Sequence, residues 1–543
     1  MLHARLAAAA LAGLALLGCR AGDRPVRGLW SGQARVEGTP PTRVVLDGEA
    51  RCLLLRHRAS DLRVRIAGTA PGGALNVRAL QADREAPRPL ATVTLPLARG
   101  AFRSELRFSR SELGQASWIS LAFDRGGLAF DAFEPLEDAG GPRIVVFGLD
   151  GLSWRILDPL VNAGRLPNIA ALIRQGSAGP LLSVKPTLSP VVWTTIASGH
   201  GPRDHGIWDF VDAQKHLVNS TQVRTKRIWE LLSERSPATL GVVGWFVTWP
   251  VERVAGFMVS ERSRPWKLTR ERRPLSFHPP ALQDPFEDVD RERRGSYFAE
   301  SARFTSLPLD PEWRTKLADG TPERERMDAL ERRFLRAYLR DSTYAETGLS
   351  FYRALAPDLL FLYFRGVDHA QHAYWFARAP EESIDPVSEE DRRHFGGLID
   401  SYYAYMDEVI GRYRGAAPEG TAFMVVSDHG FRSFTRQKGE RRRSVAYHER
   451  EGVYVASGGS FKKGLRGEEL SVLDLVPLWL HLAGLPAARD MPGRVPTQIL
   501  ASSRKELERV ATYGRREARE ESRSTEEDAD LIEQFKALGY LGE

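Results

Sequence analysis

Hydrophobic and polar residues alternate in short segments over the first quarter of the chain, from about residue 25 to residue 138. The clearest examples are Ala34–Glu37, Leu62–Ile66 and Thr92–Leu97, and glycine and proline punctuate the sequence around them. Alternation with a period of two is typical of strands that have one buried face. This part of the chain is therefore predicted to form a small β-sandwich-like domain.

The pattern changes after Ala139–Pro142, where apolar runs begin to alternate with stretches of helical periodicity. The predicted strands are Arg143–Gly148, Leu240–Phe246, Leu359–Phe364 and Ala422–Val426. The predicted helices are Asn168–Gln175, Glu325–Arg340 and Ile399–Arg414. Strands that alternate with helices are typical of α/β proteins. We therefore expect an α/β fold with one large central sheet and helices on both of its faces.

Two later segments lack this periodicity. Residues from about 262 to 320 are rich in arginine, proline and acidic residues, which predicts a surface insertion, either near the functional site or simply solvated. Residues 514–530 form a mixed-charge run that we expect to be an exposed linker or helix.

The N-terminal sequence predicts a targeting signal. Arg5 precedes an apolar run, Leu6–Leu17, that is too short to span a bilayer and leads into Leu16-Leu17-Gly18-Cys19. The segment resembles a bacterial lipoprotein signal peptide, which implies cleavage before Cys19 and a lipid anchor on that residue. An ordinary secretory signal is the alternative. Both predict export, and Arg20 favours a periplasmic protein anchored in the outer rather than the inner membrane.

The 543 residues are long enough for several domains, and 42% hydrophobic residues are sufficient for a large core. The boundaries above divide the chain into four predicted parts. These are a signal peptide (1–18), a β-rich accessory domain (19–139), an α/β domain with its insertion (140–500) and a charged C-terminal tail (501–543).

Charge and cysteine content narrow the possible functions. The 76 basic and 70 acidic residues leave a net charge of only +6, which argues against a nucleic-acid partner. Two cysteines exclude a disulfide scaffold and a zinc ribbon, and Cys52 is predicted to be a core residue. Any chemistry must therefore use histidines, carboxylates and hydroxyls.

Four segments place such residues after apolar runs or beside them. Asp150 follows the first predicted strand of the α/β domain, and Asp368 and His372 follow another with the spacing of one helical turn. The other segments contribute Asp428 and His429, and His448. Each alone has an ordinary structural explanation, such as a turn or a hydrogen-bonding histidine. Together, at the carboxyl edge of one sheet, three carboxylates and three imidazoles would be enough for two divalent ions.

The stretch from Lys185 to Gly199, continued by Pro202–Ile207, completes this ordered set. With it, the sequence resembles the type I phosphodiesterase and nucleotide pyrophosphatase family of the alkaline phosphatase superfamily, over residues 143 to 495. The resemblance implies an alkaline-phosphatase-like sheet and a hydroxyl nucleophile ten residues before Gly199, which is Ser189. Thr187 is the nearby alternative. Val192 stands where nucleotide pyrophosphatases carry an asparagine donor, and His205 is interpreted as structural.

The resemblance further implies two divalent metal ions, with zinc favoured by the imidazole content. One ion would be held by Asp368, His372 and His448. The other would be held by Asp150, Asp428 and His429, with the Ser189 oxygen beside it. Ser189 would attack phosphorus, and the resulting phosphoserine would then be hydrolysed.

The expected activity is thus zinc-dependent hydrolysis of phosphate esters, with phosphodiesters favoured, on a phosphorylated small molecule or a lipid or glycan. Phosphomonoesterase and phosphonate hydrolase activities of the same superfamily are alternatives, and Arg365 would be a cation suited to a dianionic monoester. A sulfatase would need a Cys/Ser-x-Pro-x-Arg signature, which is missing around Ser189, Cys19 and Cys52. A non-catalytic zinc-binding surface lipoprotein is the alternative from another class.

Overall fold

A computed structural model describes residues 29–37, 43–55, 62–81, 88–113, 118–124, 126–136, 143–263, 273–306, 322–383, 385–438, 441–502 and 508–516, together with residues 532 and 536. The predicted signal peptide and Cys19 lie outside the described residues, as does most of the predicted C-terminal tail.

The N-terminal part forms one antiparallel sheet of six strands, with a short helix, α1 (Arg110–Leu113), between the fourth and fifth. The strands are β1 (Leu29–Glu37), β2 (Arg43–Leu55), β3 (Leu62–Gln81), β4 (Arg88–Phe108), β5 (Trp118–Phe123) and β6 (Leu128–Leu136). The three segments of alternating polarity noted in the sequence all fall inside these strands.

The sheet folds over on itself. β5 and β6 each pair with both β2 and β3, at different places along these two long strands. The enclosed face is apolar and includes Val64, Leu75, Val77 and Phe130, as the alternation in the sequence predicts. The domain therefore resembles a sandwich, as predicted, but a single continuous sheet forms both of its layers. Cys52 lies in this core, and burial raises the pKa of its thiol well above the ordinary value.

The larger part is built on a mixed sheet of ten strands. Its strands are β7 (Ile144–Leu149), β8 (Gly176–Leu182), β9 (Leu240–Val243), β10 (Gly256–Val259), β11 (Phe277–His278), β12 (Leu359–Phe364), β13 (Ala422–Val426), β16 (Glu451–Ser457), β17 (Leu465–Arg466) and β18 (Leu470–Ser471). Strands β10, β9, β12, β7 and β13 are parallel neighbours, so their carboxyl ends lie along one edge. β14 (Gly430–Lys438) and β15 (Arg441–Glu449) form a separate two-stranded ribbon.

The predicted strands Leu359–Phe364 and Ala422–Val426 coincide with β12 and β13. The strand predicted over Leu240–Phe246 ends earlier, at Val243, because Gly244 has a φ of 69° and turns the chain beside Tyr344.

Helices cover both faces of this sheet, which confirms the predicted α/β architecture. They are α2 (Trp154–Asn162), α3 (Pro167–Arg174), α4 (Ser189–Ser198), α5 (Pro202–His205), α6 (Ile228–Arg235), α7 (Gln283–Ser301), α8 (Pro322–Leu355), α9 (Gly366–Arg378), α10 (Glu389–Phe395), α11 (Leu398–Ala416) and α12 (Leu475–Leu482). Successive strand residues face opposite cores: Phe147 packs with α2, α3, α9 and α11, whereas Val146 packs with α4, α6 and α12.

The part of 262–320 that the structure describes has regular structure, which its weak periodicity did not predict. It contains β11 and the 19-residue α7. Phe286, Tyr297 and Phe304 are buried in the core beside the apolar face of α8. This segment has few apolar residues, but they are aromatic and each buries a large area. A helix can therefore pack on the core although the sequence shows only weak helical periodicity.

Arg516 also differs from the prediction. It belongs to the run 514–530, which the sequence predicts to be an exposed linker or helix. Its guanidinium is nearly buried and contacts the Glu252 carboxylate at 3.0 Å and the Glu230 carboxylate at 3.0 Å. Glu252 is itself buried. The start of the predicted tail therefore packs on the α/β core. Among the residues that the structure describes, no helix is long and apolar enough to cross a membrane.

Candidate active site

The first ligand group contains Asp368, His372 and His448. Helix α9 follows strand β12, and Asp368 and His372 lie one turn apart on it. His372 Nε2 is 3.4 Å from Asp368 Oδ1. His448, near the end of β15, places its Nε2 2.9 Å from His372 Nε2 and 3.6 Å from Asp368 Oδ1. These three atoms converge on one point, as ligands of a single ion would.

His448 is held by the chain that leads to Ser189. Its Nδ1 lies 2.8 Å from the backbone oxygen of Thr187. Because a carbonyl oxygen can only accept, Nδ1 must carry the hydrogen, which leaves the lone pair of Nε2 facing the ligand group. Phe431 packs edge-on against His372 with ring centroids 5.0 Å apart, which fixes the second imidazole.

The second group contains Asp150, Asp428 and His429. Asp150 follows β7 directly, and the other two follow β13, the adjacent parallel strand. His429 Nε2 is 3.3 Å from Asp150 Oδ1 and 3.3 Å from Asp428 Oδ2. All three residues are fully buried. The Gly430 carbonyl accepts from His429 Nδ1 at 3.0 Å, so His429 Nε2 also presents its lone pair to the carboxylates unless it is protonated.

The two groups adjoin each other. The rings of His429 and His448 stack with centroids 3.6 Å apart and an interplanar angle of 13°. All six residues predicted as ligands from the sequence are therefore brought together at the carboxyl edge of the sheet, in the two sets that the resemblance implied. Their role as ligands stays a prediction.

Ser189 stands beside the second group. It is the first residue of α4, it is buried, and its hydroxyl donates to Asp150 Oδ1 at 3.5 Å. The N-terminus of a helix favours negative charge, so an alkoxide forming at this oxygen would be stabilised there. Thr187 contributes its backbone carbonyl to His448, as described above. The Ser189 hydroxyl thus contacts the second group, whereas the contact of Thr187 with the first group is made by its backbone.

The chemistry of the donor set fits divalent cations. Asp428 Oδ2 and His429 Nε2 are buried and have no hydrogen-bond partner among the described residues. Burial and then the neighbouring Asp150 raise the pKa of Asp428 well above its ordinary value. Although burial opposes it, the Asp428 and Asp150 carboxylates raise the pKa of His429 to about 10. Two buried carboxylates lie 3.3 Å from this nitrogen and favour a positive charge between them, which a metal ion would supply in place of the proton.

Three supporting residues were not recognised in the sequence. Tyr363 donates a hydrogen bond to the Asp150 carboxylate from β12. Gln371 donates to the Gly151 carbonyl at 2.8 Å and accepts from the Tyr403 hydroxyl at 3.2 Å. Gln371 stands inside the predicted Asp368–His372 motif, but no sequence signal marks its partner, which is 220 residues away.

The remaining predicted positions have distinct surroundings. Val192 is buried in the core and cannot donate a hydrogen bond to a substrate. His205 lies 3.0 Å from the Thr195 hydroxyl and accepts from the Ile207 amide at 3.1 Å, which agrees with a structural role. Burial lowers the pKa of His205 to about 3. Arg365 lies over the Phe246 ring, 4.6 Å from its centroid.

The mixed sheet thus gathers two carboxylate–histidine groups and a hydroxyl at its strand ends, an arrangement suited to metal-dependent phosphoryl transfer. The chain belongs to the type I phosphodiesterase / nucleotide pyrophosphatase family, whose model matches residues 144–475. This confirms the resemblance seen in the motifs, and the protein is a phosphoric ester hydrolase of the phosphodiesterase or pyrophosphatase type.

Solved structures with a similar fold include murine ectonucleotide pyrophosphatase / phosphodiesterase 5 as an inactive variant in complex with AMP. Its identity to this chain is 13%, with 63% of this chain and 95% of that chain covered and a TM-score of 0.38. Phosphonoacetate hydrolase from Sinorhizobium meliloti 1021, in complex with phosphonoformate, is 16% identical over 56% of this chain and 59% of that chain, with a TM-score of 0.34. A comparison with curated proteins finds no match.

Proposed function

We propose that this protein is a zinc-dependent phosphodiesterase that works through a covalent phosphoserine at Ser189. The observation that carries the proposal is the pair of candidate ligand groups, joined by the His429–His448 stack, with the hydroxyl of Ser189 beside the second group.

Each residue has a definite task in this reaction. Asp368, His372 and His448 would hold one ion, and Asp150, Asp428 and His429 would hold the other. Divalent ions in these places would polarise the phosphoryl oxygens and make the serine hydroxyl more acidic. Ser189 Oγ would form a bond to phosphorus as one of the two ester bonds of the substrate breaks, and the serine proton would leave with the released alcohol. The phosphoryl group on Ser189 would keep the second ester. Water would then cleave the bond between Ser189 and phosphorus, which returns Ser189 to its hydroxyl form and releases a phosphate monoester.

Zinc is favoured over magnesium by the donor set. Three of the six ligands are imidazoles, whereas magnesium prefers oxygen ligands. The hydrogen bonds from His448 Nδ1 to Thr187 and from His429 Nδ1 to Gly430 hold the imidazoles in the tautomer that zinc requires.

Family membership favours phosphodiesters as substrates, in the form of a phosphorylated small molecule, lipid or glycan. The absence of a donor side chain at Val192 argues against close similarity to nucleotide-specific members. The test is hydrolysis of four chromogenic or coupled substrates by the zinc-loaded protein: a phosphodiester, a phosphomonoester, a pyrophosphate and a phosphonate. Diester turnover above the other three supports the proposal. A faster monoester or phosphonate reaction would replace the substrate class, and no turnover on any would favour a zinc-binding lipoprotein without catalysis.

We also propose that the protein is an exported lipoprotein, anchored through Cys19 in the outer membrane and facing the periplasm. The support is the lipobox-like sequence Leu16 to Cys19. Mass spectrometry of the N-terminal peptide from cells that make the native precursor tests this. A diacylated or triacylated Cys19 is expected, and an unmodified N-terminus at another residue would contradict it.

A further inference from the structure

Arg365 lies on the same side of the central sheet as the helix that begins at Ser189. It follows Tyr363 by two residues, and both side chains contact Phe246. The Phe246 and Tyr363 ring centroids are 5.8 Å apart, and the Arg365 guanidinium carbon is 4.6 Å from the Phe246 centroid. The Trp193 ring of α4 lies 4.8 Å from the Tyr363 ring. The Phe246 and Tyr363 rings therefore link the guanidinium to the nucleophile helix.

The charge of the Arg365 guanidinium also affects the Tyr363 hydroxyl, which contacts Asp150. Tyr363 donates a hydrogen bond to the Asp150 carboxylate. Burial raises the pKa of Tyr363 well above its ordinary value, the Asp150 charge adds to the rise, and the Arg365 charge opposes it. Arg365 is 5% exposed, so little water screens this charge.

Among the described residues of the two ligand groups and Ser189, none is a lysine or arginine side chain that would bind the phosphoryl oxygens directly. Val192 is apolar and cannot donate to them. Lys185 is near Ser189 in sequence, but it is exposed, which weakens its charge in solvent. A guanidinium presents several N–H donors in a fixed plane that matches the oxygens of a phosphate group.

We propose that Arg365 binds the nonbridging phosphoryl oxygens of the substrate, in the place of the donor that Val192 cannot supply. This assignment rests on the proposed function, because it concerns the same reacting phosphate. The guanidinium would attract every phosphoryl substrate, and a doubly charged monoester more strongly than a singly charged diester. Phe246 would hold the guanidinium plane from one side, as an aromatic ring does for a cation.

The experiment compares Arg365→Gln and Arg365→Lys with the wild type in zinc-loaded protein. Two readouts are needed: kcat/KM for bis(p-nitrophenyl) phosphate and for p-nitrophenyl phosphate, and the Kd of inorganic phosphate measured by calorimetry. We expect Arg365→Gln to lower diester kcat/KM roughly 10- to 100-fold and monoester kcat/KM further, since charged hydrogen bonds have about this effect. Phosphate binding should weaken at least about tenfold by the same principle. Arg365→Lys should recover part of both.

Arg378→Gln is the matched control. Arg378 also lies beside an aromatic ring, that of Trp375, but it is the last residue of α9 and pairs with Asp400. Its two readouts should match the wild type. Unfolding temperature and zinc content establish that the Arg365 variants are folded and loaded. If folded Arg365→Gln keeps wild-type kcat/KM and wild-type phosphate affinity, the assignment is wrong. It is also wrong if Lys185→Gln shows the losses instead. Failure of the proposed function would look different: the wild type would hydrolyse neither ester.

Discussion

The side-chain amide of Gln371 donates a hydrogen bond to the backbone carbonyl of Gly151, 2.8 Å away. Gln371 lies on α9 between the proposed ligands Asp368 and His372, whereas Gly151 follows Asp150, a proposed ligand of the other group. The Gly151 amide in turn donates to Asp428 Oδ1 at 3.2 Å. One chain of hydrogen bonds therefore connects the two ligand groups and fixes their separation.

Replacement of Gln371 by leucine should weaken both metal binding and stability. The Gly151 carbonyl would lose its partner in a buried position, which costs about 1–3 kcal/mol. Zinc content after dialysis and the free energy of unfolding measure the two effects. Gln283→Leu is a suitable control, because Gln283 pairs with Glu287 within α7 and should affect neither zinc content nor turnover. Unchanged zinc affinity in Gln371→Leu would contradict the connecting role.

Gly151→Ala should disturb the ligands directly. Gly151 has a φ of 69°, and an added Cβ would lie 2.9 Å from Asp368 Oδ1. Gly164 is a matched control, since its φ is 71° but a Cβ there meets nothing within 4 Å. Both variants incur backbone strain of about 1 kcal/mol. Only Gly151→Ala should also lose metal and activity, and equal losses in the two variants would show that strain alone matters.

Ser189→Ala should remove most turnover and leave the fold and zinc content nearly intact, because the six other ligands remain. Thr187→Ala should have a much smaller effect, because Thr187 reaches His448 through its backbone carbonyl, which the substitution keeps. Steady-state rates on a chromogenic diester and zinc analysis of both variants distinguish these outcomes. A reversal of the two effects would move the nucleophile to Thr187.

Asp341 should make stability depend on pH. Its buried carboxylate accepts from the Gly366 amide at 2.8 Å and from the Tyr402 hydroxyl at 3.1 Å, at the start of α9. Burial raises the pKa of Asp341 to about 6, although the Gly366 hydrogen bond opposes the rise. The folded state then favours the protonated form. The associated stability is present below the unfolded pKa, about 4, and is lost as pH rises through about 6.

The loss between these pH values should be on the order of 3 kcal/mol. Asp341→Asn has no such titration, so the difference in free energy of unfolding between wild type and variant should change over that range. Both proteins are compared after metal chelation, so that zinc release does not contribute. A constant difference from pH 4 to pH 7 would show that Asp341 keeps an ordinary pKa.

The sequence indicated the six candidate ligands because four of them lie shortly after a strand and His372 is one helical turn from Asp368, and local patterns mark such positions; their role as ligands stays a prediction. Asp150 and Asp428 follow β7 and β13, which are adjacent and parallel. Tyr363 was missed because it looks like one more apolar strand residue, and its hydroxyl matters only once β12 lies beside β7. Arg516 and α7 were misjudged for a similar reason, since charge-rich composition conceals contacts between distant segments.

The central claim is that phosphate passes through Ser189, and mass spectrometry of zinc-loaded enzyme quenched during diester turnover tests it most directly. Peptide mapping should find one phosphoryl group, still carrying the second ester of the substrate, on the peptide that begins the Ser189–Ser198 helix; this adduct should be absent from protein without substrate and from Ser189→Ala. Steady hydrolysis by wild-type enzyme with no phosphopeptide at any quench time, or with the phosphoryl group on Thr187, would contradict it.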